Sequence, residues 1–287
     1  METVSTEQRI RVTITDGVAD VRLSRPDKMN ALDQAMFDAL IDAGTSLIGH
    51  PEVRAVVISG EGRAFCAGLD MGRFEKMQAT SGSGKAPDSG DSTNQPPSNE
   101  WRLGRRTHGL SNASQYAAMV WRDIPVPVIA AVHGVALGGG FQVALGADIR
   151  FVAPDTKMSV MEIKWGLVPD MGGVELMRHL ARGDVIRELT FSGRIFNGVE
   201  AGQLGFATHV CDNPYERAMA LAREIAGKNP HAIRAGKRLM QLAETADAAA
   251  ILQAESSEQI ALLGSPNQIE AVAANIQKRA PNFTDPE

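Results

Sequence analysis

Alternating apolar and polar positions in RIRVTIT (9–15) and VADVRLS (18–24), separated by Asp16-Gly17, predict two strands joined as a hairpin. The period then changes. In ALDQAMFDALIDAGTSLIGH (31–50), Leu32, Met36, Leu40, Ile41 and Leu47 fall near one face of a helix, with Asp33 placed to cap its start. RAVVISG (54–60) is a short continuous apolar run, the pattern of a strand covered on both faces in a parallel sheet. PVIAAVHG (127–134) repeats that pattern, and ADIRFVAP (147–154) follows a helix of its own. Strands alternating with helices predict an α/β core over 1–211, with functional loops at the strand ends. From about Asp212 the pattern is almost wholly helical. Amphipathic segments at 213–228, 230–244, 248–264 and 265–283 are separated by Asn-Pro, Thr-Ala-Asp and Ser-Pro breaks, so 212–287 reads as a C-terminal helical region. No internal repeat is evident.

Between these parts, residues 77–110 are rich in Gly, Ser, Pro and Asp and poor in apolar residues. They predict a flexible insertion, or else a lid that brings Trp101 and the RRTH cluster (105–108) to a pocket. Hydrophobic residues make up 44% and charged residues 22% of the 287, ordinary values for a globular chain. No apolar run approaches the ~20 residues that span a bilayer, and the first residues lack the apolar centre of a signal peptide. The net charge of −5 argues against a broad nucleic-acid surface, while leaving room for a local basic patch. Cys66 and Cys211 make neither a disulfide framework nor a metal-binding spacing. The expected location is cytoplasmic, with no membrane or nucleic-acid partner.

Four stretches carry candidate chemistry. GEGRAFCAGLDM (60–71) reads as a strand end, a glycine turn and a short apolar helix. HGVALGGGFQ (133–142) spends three glycines on an apparent helix start, where each costs up to about 1 kcal/mol against alanine. Such a run lets backbone approach a ligand closely and leaves N–H groups facing it, and one donor from each loop could polarise a carbonyl. Glycine runs also serve close helix–strand packing. SVMEIKWGLVPDMGG (159–173) carries Glu162 and, eight residues on, Asp170, both flanked by apolar residues that favour partial burial and a raised pKa. SRPDKMNAL (24–32) offers Arg25 and Lys28 to phosphate groups. His133 precedes the glycine run but has no evident Ser or Cys partner.

Taken in this order, SRPDKMNAL, RAFCAGLDM, ALGGGFQVALGADIR, MEIKWGLVPDMGG and QKRAPNF resemble the crotonase, or enoyl-CoA hydratase/isomerase, superfamily over nearly the whole chain outside 77–110. The resemblance implies an α/β fold of repeated ββα turns, an acyl-CoA thioester substrate, and C-terminal helices used in a homotrimer or a dimer of trimers. It implies that the Leu69 and Gly139 amides hold the thioester oxygen. Arg25, Lys28, Ala67, Lys278 and Arg279 are the expected coenzyme A contacts, and no cofactor is expected beyond the coenzyme A of the substrate.

Hydratases of this family resemble one another in two glutamates, at positions matching 142 and 162. Here position 142 is Gln, whose amide does not shuttle a proton near neutral pH. Dienoyl-CoA isomerases carry acids matching Glu162 and Asp170, with an aspartate normally matching 142. The chain departs from both patterns, less from the isomerase. The expectation is therefore double-bond migration by proton transfer, with Asp170 as base, Glu162 as acid and Gln142 orienting Glu162. The alternatives are a 2-enoyl-CoA hydratase using Glu162 and a water held by Gln142, and an acyl-CoA-binding protein of weak activity.

Overall fold

The computed structural model describes residues 8–70, 72 and 103–286. Strands β1 (Ile10–Thr15) and β2 (Val18–Leu23) form the expected antiparallel hairpin. Asp16 and Gly17 between them have φ of 50° and 79°, the double positive φ of a tight turn whose twist suits the flanking strands. Within the central sheet the strand pairings from β2 onward are parallel: β3 (Ala55–Gly60), β4 (Val128–Val132), β6 (Ile149–Val152) and β8 (His209–Val210) give the order β1-β2-β3-β4-β6-β8. A second sheet pairs β5 (Val135–Leu137) with β7 (Lys157–Ser159).

The described helices are α1 (Gln34–Ile48), α2 (Ala113–Asp123), α3 (Gly139–Leu145), α4 (Gly173–Met177), α5 (Gly183–Ser192), α6 (Gly198–Leu204), α7 (Pro214–Ala226), α8 (Pro230–Ala243), α9 (Ala248–Leu262) and α10 (Pro266–Gln277). Asp33 caps α1 by accepting from the Met36 amide at 2.8 Å. Among the described residues no helix is long and apolar enough to cross a membrane.

The inner strands β3 and β4 are buried on both faces, which is why they read as unbroken apolar runs. Val56, Ile58, Val128, Ala130 and Val132 face Met36, Leu40, Val120 and Trp121 of α1 and α2. Ala55, Val57, Ile129 and Ala131 point the other way, against Ala218, Ala222 and Ala226 of α7. Alanines every fourth residue on α7 let that helix lie close to the sheet. The first C-terminal helix is thus a layer of the α/β core. Helix α8 is tied in by Lys237, whose ammonium donates to Asp148 at 2.7 Å and to the Val126 carbonyl at 3.0 Å.

Two expectations change here. Residues 61–70 hold no helix. Their backbone is drawn into pairing with neighbours on both sides: the Phe65 and Cys66 amides donate to His133 and Val135, and the Leu32 amide donates to Gly68. Of the 77–110 insertion, residues 77–102, Trp101 included, lie outside the described residues. Within the remainder, His108 stacks on Tyr116 with ring centroids 4.3 Å apart.

Candidate active site

The loops after β2, β3 and β4 all leave the carboxyl ends of adjacent parallel strands, where α/β sheets place their ligands. Asn30, fully buried with φ of 55°, stitches the first loop to the second by donating to the Glu61 and Ala64 carbonyls at 3.0 and 2.8 Å. The second loop is joined to the third by a parallel bridge between Cys66 and Ala136. Burial pushes the Cys66 thiol up to about 12, so its Sγ serves as a donor to the Asn30 carbonyl.

From that bridge the two segments run side by side, and three residues further along each lie Leu69 and Gly139. A Cβ placed on Gly68 would lie 3.8 Å from the Gly139 nitrogen, so the loops are in contact at this point. Neither the Leu69 nor the Gly139 amide donates to another group among the described residues. For Gly139 this follows from its place as the first residue of α3, where helix N–H groups have no partner within the helix. Gly138 turns the chain into α3 with φ of 51° and ψ of −119°, a conformation that side chains resist. Gly140 permits the close approach: a Cβ there would sit 2.3 Å from the Cys66 carbonyl oxygen.

Gln142 lies on α3 and is 1% exposed. Its Nε2 donates to Glu162 Oε1 at 2.6 Å, and its Oε1 accepts from the amides of Met171 at 3.0 Å and Gly173 at 2.8 Å. Two backbone donors at one end fix which atom of the amide is oxygen, so the nitrogen must face Glu162. Gln142 and Glu162 are thus joined directly through the amide nitrogen. Glu162 opens the 3-10 helix Glu162–Trp165, and its Oε1 would lie 3.3 Å from a Cβ on Gly138, beside the Gly139 amide. Burial holds the Glu162 carboxyl above its ordinary pKa and the Asp170 charge adds to the effect, against opposing hydrogen bonds from its own backbone and Gln142. Its Oε2 is buried with no hydrogen-bond partner.

Asp170 differs from expectation in one respect. It is exposed, as is Val168 beside it, because the chain leaves the 3-10 helix through Gly166 at φ 70° and runs over the surface before turning in at Met171. It nonetheless lies close enough to act electrostatically on Glu162.

The expected coenzyme A contacts behave unequally. Arg25 is only 15% exposed in its side chain and is committed inward, its Nη1 donating to Asp70 at 2.6 Å and to the Ala31 carbonyl at 3.1 Å. Against the cost of burial, hydrogen bonds from Arg25 and the Gly72 amide hold Asp70 below the usual carboxylate range. Asp70, the residue after Leu69 and not singled out in the sequence, is thus anchored by Arg25; the one signal for it was an acid directly after the apolar run AFCAGL. The Ala67 amide donates to the Met29 carbonyl at 2.9 Å. Lys28 is exposed at the end of the 3-10 helix Pro26–Lys28. Lys278 and Arg279 are exposed after α10, and Arg279 forms a two-pronged pair with Glu270 at 2.6 and 2.8 Å. Among the described residues no hydrogen bond or ion pair joins either of them to the site.

Known proteins resemble the chain along nearly its whole length. Residues 18–286 match the family model described as enoyl-CoA hydratase/isomerase. The chain is 31% identical over 277 residues to the mouse mitochondrial enoyl-CoA hydratase domain-containing protein 2, covering 93% of this chain and 84% of that one. It is 29% identical over 286 residues to the peroxisomal Delta(3,5)-Delta(2,4)-dienoyl-CoA isomerase of Arabidopsis thaliana, covering 99% and 98%. The crystal structure of an enoyl-CoA hydratase from Polaromonas sp. JS666 superposes with a TM-score of 0.80 at 26% identity, covering 96% of this chain and 99% of that one.

Proposed function

Because the chain belongs to the enoyl-CoA hydratase/isomerase family, within the crotonase superfamily, we propose that its site shifts double bonds along an unsaturated acyl-CoA by proton transfer between Asp170 and Glu162. The observation that carries this reading is the placement of Gln142, which fills the third polar position with an amide and leaves Glu162 and Asp170 as the pair of acids.

The thioester oxygen accepts from the Leu69 and Gly139 amides, which are positioned for the negative charge that develops there. Asp170 takes the proton α to the thioester, and the electron pair left behind delocalises through the unsaturated chain as a dienolate. Glu162, held toward its neutral form by burial, delivers its proton to a distant carbon, and the double bonds move without change of composition. Each turnover leaves Asp170 protonated and Glu162 ionised; passage of one proton from the first to the second restores the site. Of the two basic residues singled out on the first loop, Lys28 is the one left exposed for coenzyme A phosphates. The likeness to the Arabidopsis isomerase over 98% of its length supports this reading.

A second reading, hydration of a 2-enoyl-CoA, is favoured by the unpartnered Oε2 of Glu162, which would accept a proton from water, and by the likeness to proteins named hydratases. Turnover of 2-enoyl-, 3-enoyl- and 3,5-dienoyl-CoA, followed by ultraviolet absorbance and product mass, separates the two. Isomerisation leaves the mass unchanged and hydration adds a water. Rapid hydration of 2-enoyl-CoA that survives Asp170→Asn would replace the isomerase reading.

Assembly into a trimer or a dimer of trimers belongs to the same proposal. Helix α9 buries none of its side chains, and Leu252, Ile260, Ile269 and Ile276 of α9 and α10 are exposed. Sedimentation as a monomer at micromolar concentration would count against it.

A further inference from the structure

Two acids acting on one chain must stand at a set separation, and we propose, resting on the isomerase reading above, that Gln142 is the positioning residue that sets it. Its side chain is a strut between the segment of Glu162 and the turn that follows Asp170. At one end Nε2 holds Glu162 Oε1 at 2.6 Å; at the other Oε1 accepts from Met171 and Gly173, the residues that follow Asp170 and begin α4. The foot of the strut is α3, which also carries the Gly139 amide, so acid, base and oxygen-binding group share one support.

An amide meets the needs of this place with no proton to lose. The turn presents two N–H donors and needs an acceptor, while Glu162 Oε1 needs a donor. At 1% exposure little water reaches the site to substitute for either. Gln supplies both functions without titrating and on separate atoms; Asn is one methylene shorter, and a Ser or Thr hydroxyl has a single atom to serve both sides. The strut also selects the reactive atom. With Oε1 occupied by Gln142, the proton that Glu162 gives or takes resides on Oε2, which is buried and has no other partner. A carboxylate at 142 would keep both turn contacts but would set an oxygen about 2.6 Å from Glu162 Oε1. Two carboxylates so close must share a proton, whose loss is postponed to higher pH. Asp170 is the other charge acting on Glu162 and adds to that postponement.

The test compares wild type, Gln142→Ala and Gln142→Glu by deuterium exchange at the Met171 and Gly173 amides and by kcat, KM and pH profile on the acyl-CoA that wild type turns over. In Gln142→Ala both amides lose protection, kcat falls by about 10²-fold, as for an ångström-scale misplacement of a reacting group, and KM stays within about twofold. In Gln142→Glu the amides stay protected, kcat falls, and the limb of the profile set by Glu162 moves to higher pH. Unchanged protection in Gln142→Ala, or a Gln142→Glu profile that superimposes on wild type, overturns the proposal. Should Gln142→Ala fail to fold, the Gln142→Glu profile decides alone. Amide exchange does not depend on which reaction is catalysed. Rapid hydration of 2-enoyl-CoA that survives Asp170→Asn would end the isomerase reading, while the exchange data would still judge the strut.

Discussion

A methyl group at Gly140 would ordinarily help α3, since alanine favours a helix by about 1 kcal/mol over glycine. Here it would sit 2.3 Å from the Cys66 carbonyl oxygen and 2.8 Å from Cys66 Cβ. A backbone oxygen cannot rotate aside, and this one accepts from the Leu137 amide at 3.1 Å while the Cys66 amide donates to Val135 at 3.0 Å. To reach ordinary contact near 3.4 Å, the Cys66 segment must retreat from α3 by about 1 Å. Leu69, three residues along that segment, then shifts relative to Gly139. Overpacking of this kind costs about 1–3 kcal/mol, or a few degrees of melting temperature for each kcal/mol in a chain of this size. The larger effect is on turnover, because losing one aligned donor to an oxyanion costs about 10²-fold or more in kcat. Gly236→Ala in α8, where a Cβ would meet nothing within 4 Å, is the control and should gain about 0.4–1 kcal/mol at full activity. Thermal melts and steady-state kinetics on all three proteins make the comparison. A Gly140→Ala enzyme with wild-type kcat and melting temperature would refute the claim that Cys66 and Gly140 hold the two amides in register.

Arg25→Gln should lower kcat by about 10-fold through the freed Asp70 and the loosened Leu69, and leave the salt dependence of coenzyme A affinity unchanged. Lys28→Ala should do the reverse, weakening coenzyme A binding and flattening its salt dependence with little change in kcat. Glu162→Gln should cost about 10²-fold in turnover and alter stability in a pH-dependent way. Because the folded state raises the Glu162 pKa above 4.5, its stabilising contribution is full below that value and is lost as pH rises through the raised one; denaturant melts should find Glu162→Gln gaining on wild type above that window. Lys237→Met strips Asp148 of its ammonium, but Asp148 stays partly exposed and keeps the Val128 amide at 2.7 Å, so the loss in denaturant melts should lie near the lower end for such pairs, about 3 kcal/mol, with normal activity in the folded fraction.

Local chemistry made much of the chain legible. Asp16-Gly17 specifies a tight hairpin because few residues tolerate two consecutive positive φ angles, and Asp33 specifies where α1 begins because its carboxylate satisfies an N–H that the helix leaves free. The two-faced strands β3 and β4 announced a covered parallel sheet by their unbroken apolar runs. Residues 61–70 misled for a related reason. An apolar run next to glycines has no period of its own, and whether its amides bond within the segment or to neighbours depends on segments 29–32 and 133–137.

Within the candidate site, residue type and spacing determined which groups were available: Glu162 and Asp170 as acids, Gln142 as a neutral amide, and glycines where backbone could come close. Tertiary structure alone decided what each is bonded to. Gln142 reaches across 20 residues to Glu162 and across about 30 to Met171 and Gly173, and Arg25 reaches across 45 to Asp70. Asp170 shares its apolar flanks with Glu162, yet is exposed where Glu162 is half-buried with its Oε2 shut away from solvent. Hydrophobic period and capping act over one or two turns of chain, so they are written in the order of residues. Burial, ion pairing and the choice of hydrogen-bond partner are settled by which distant segments fill the space around a group, and that space exists only once the sheet and its helices have packed.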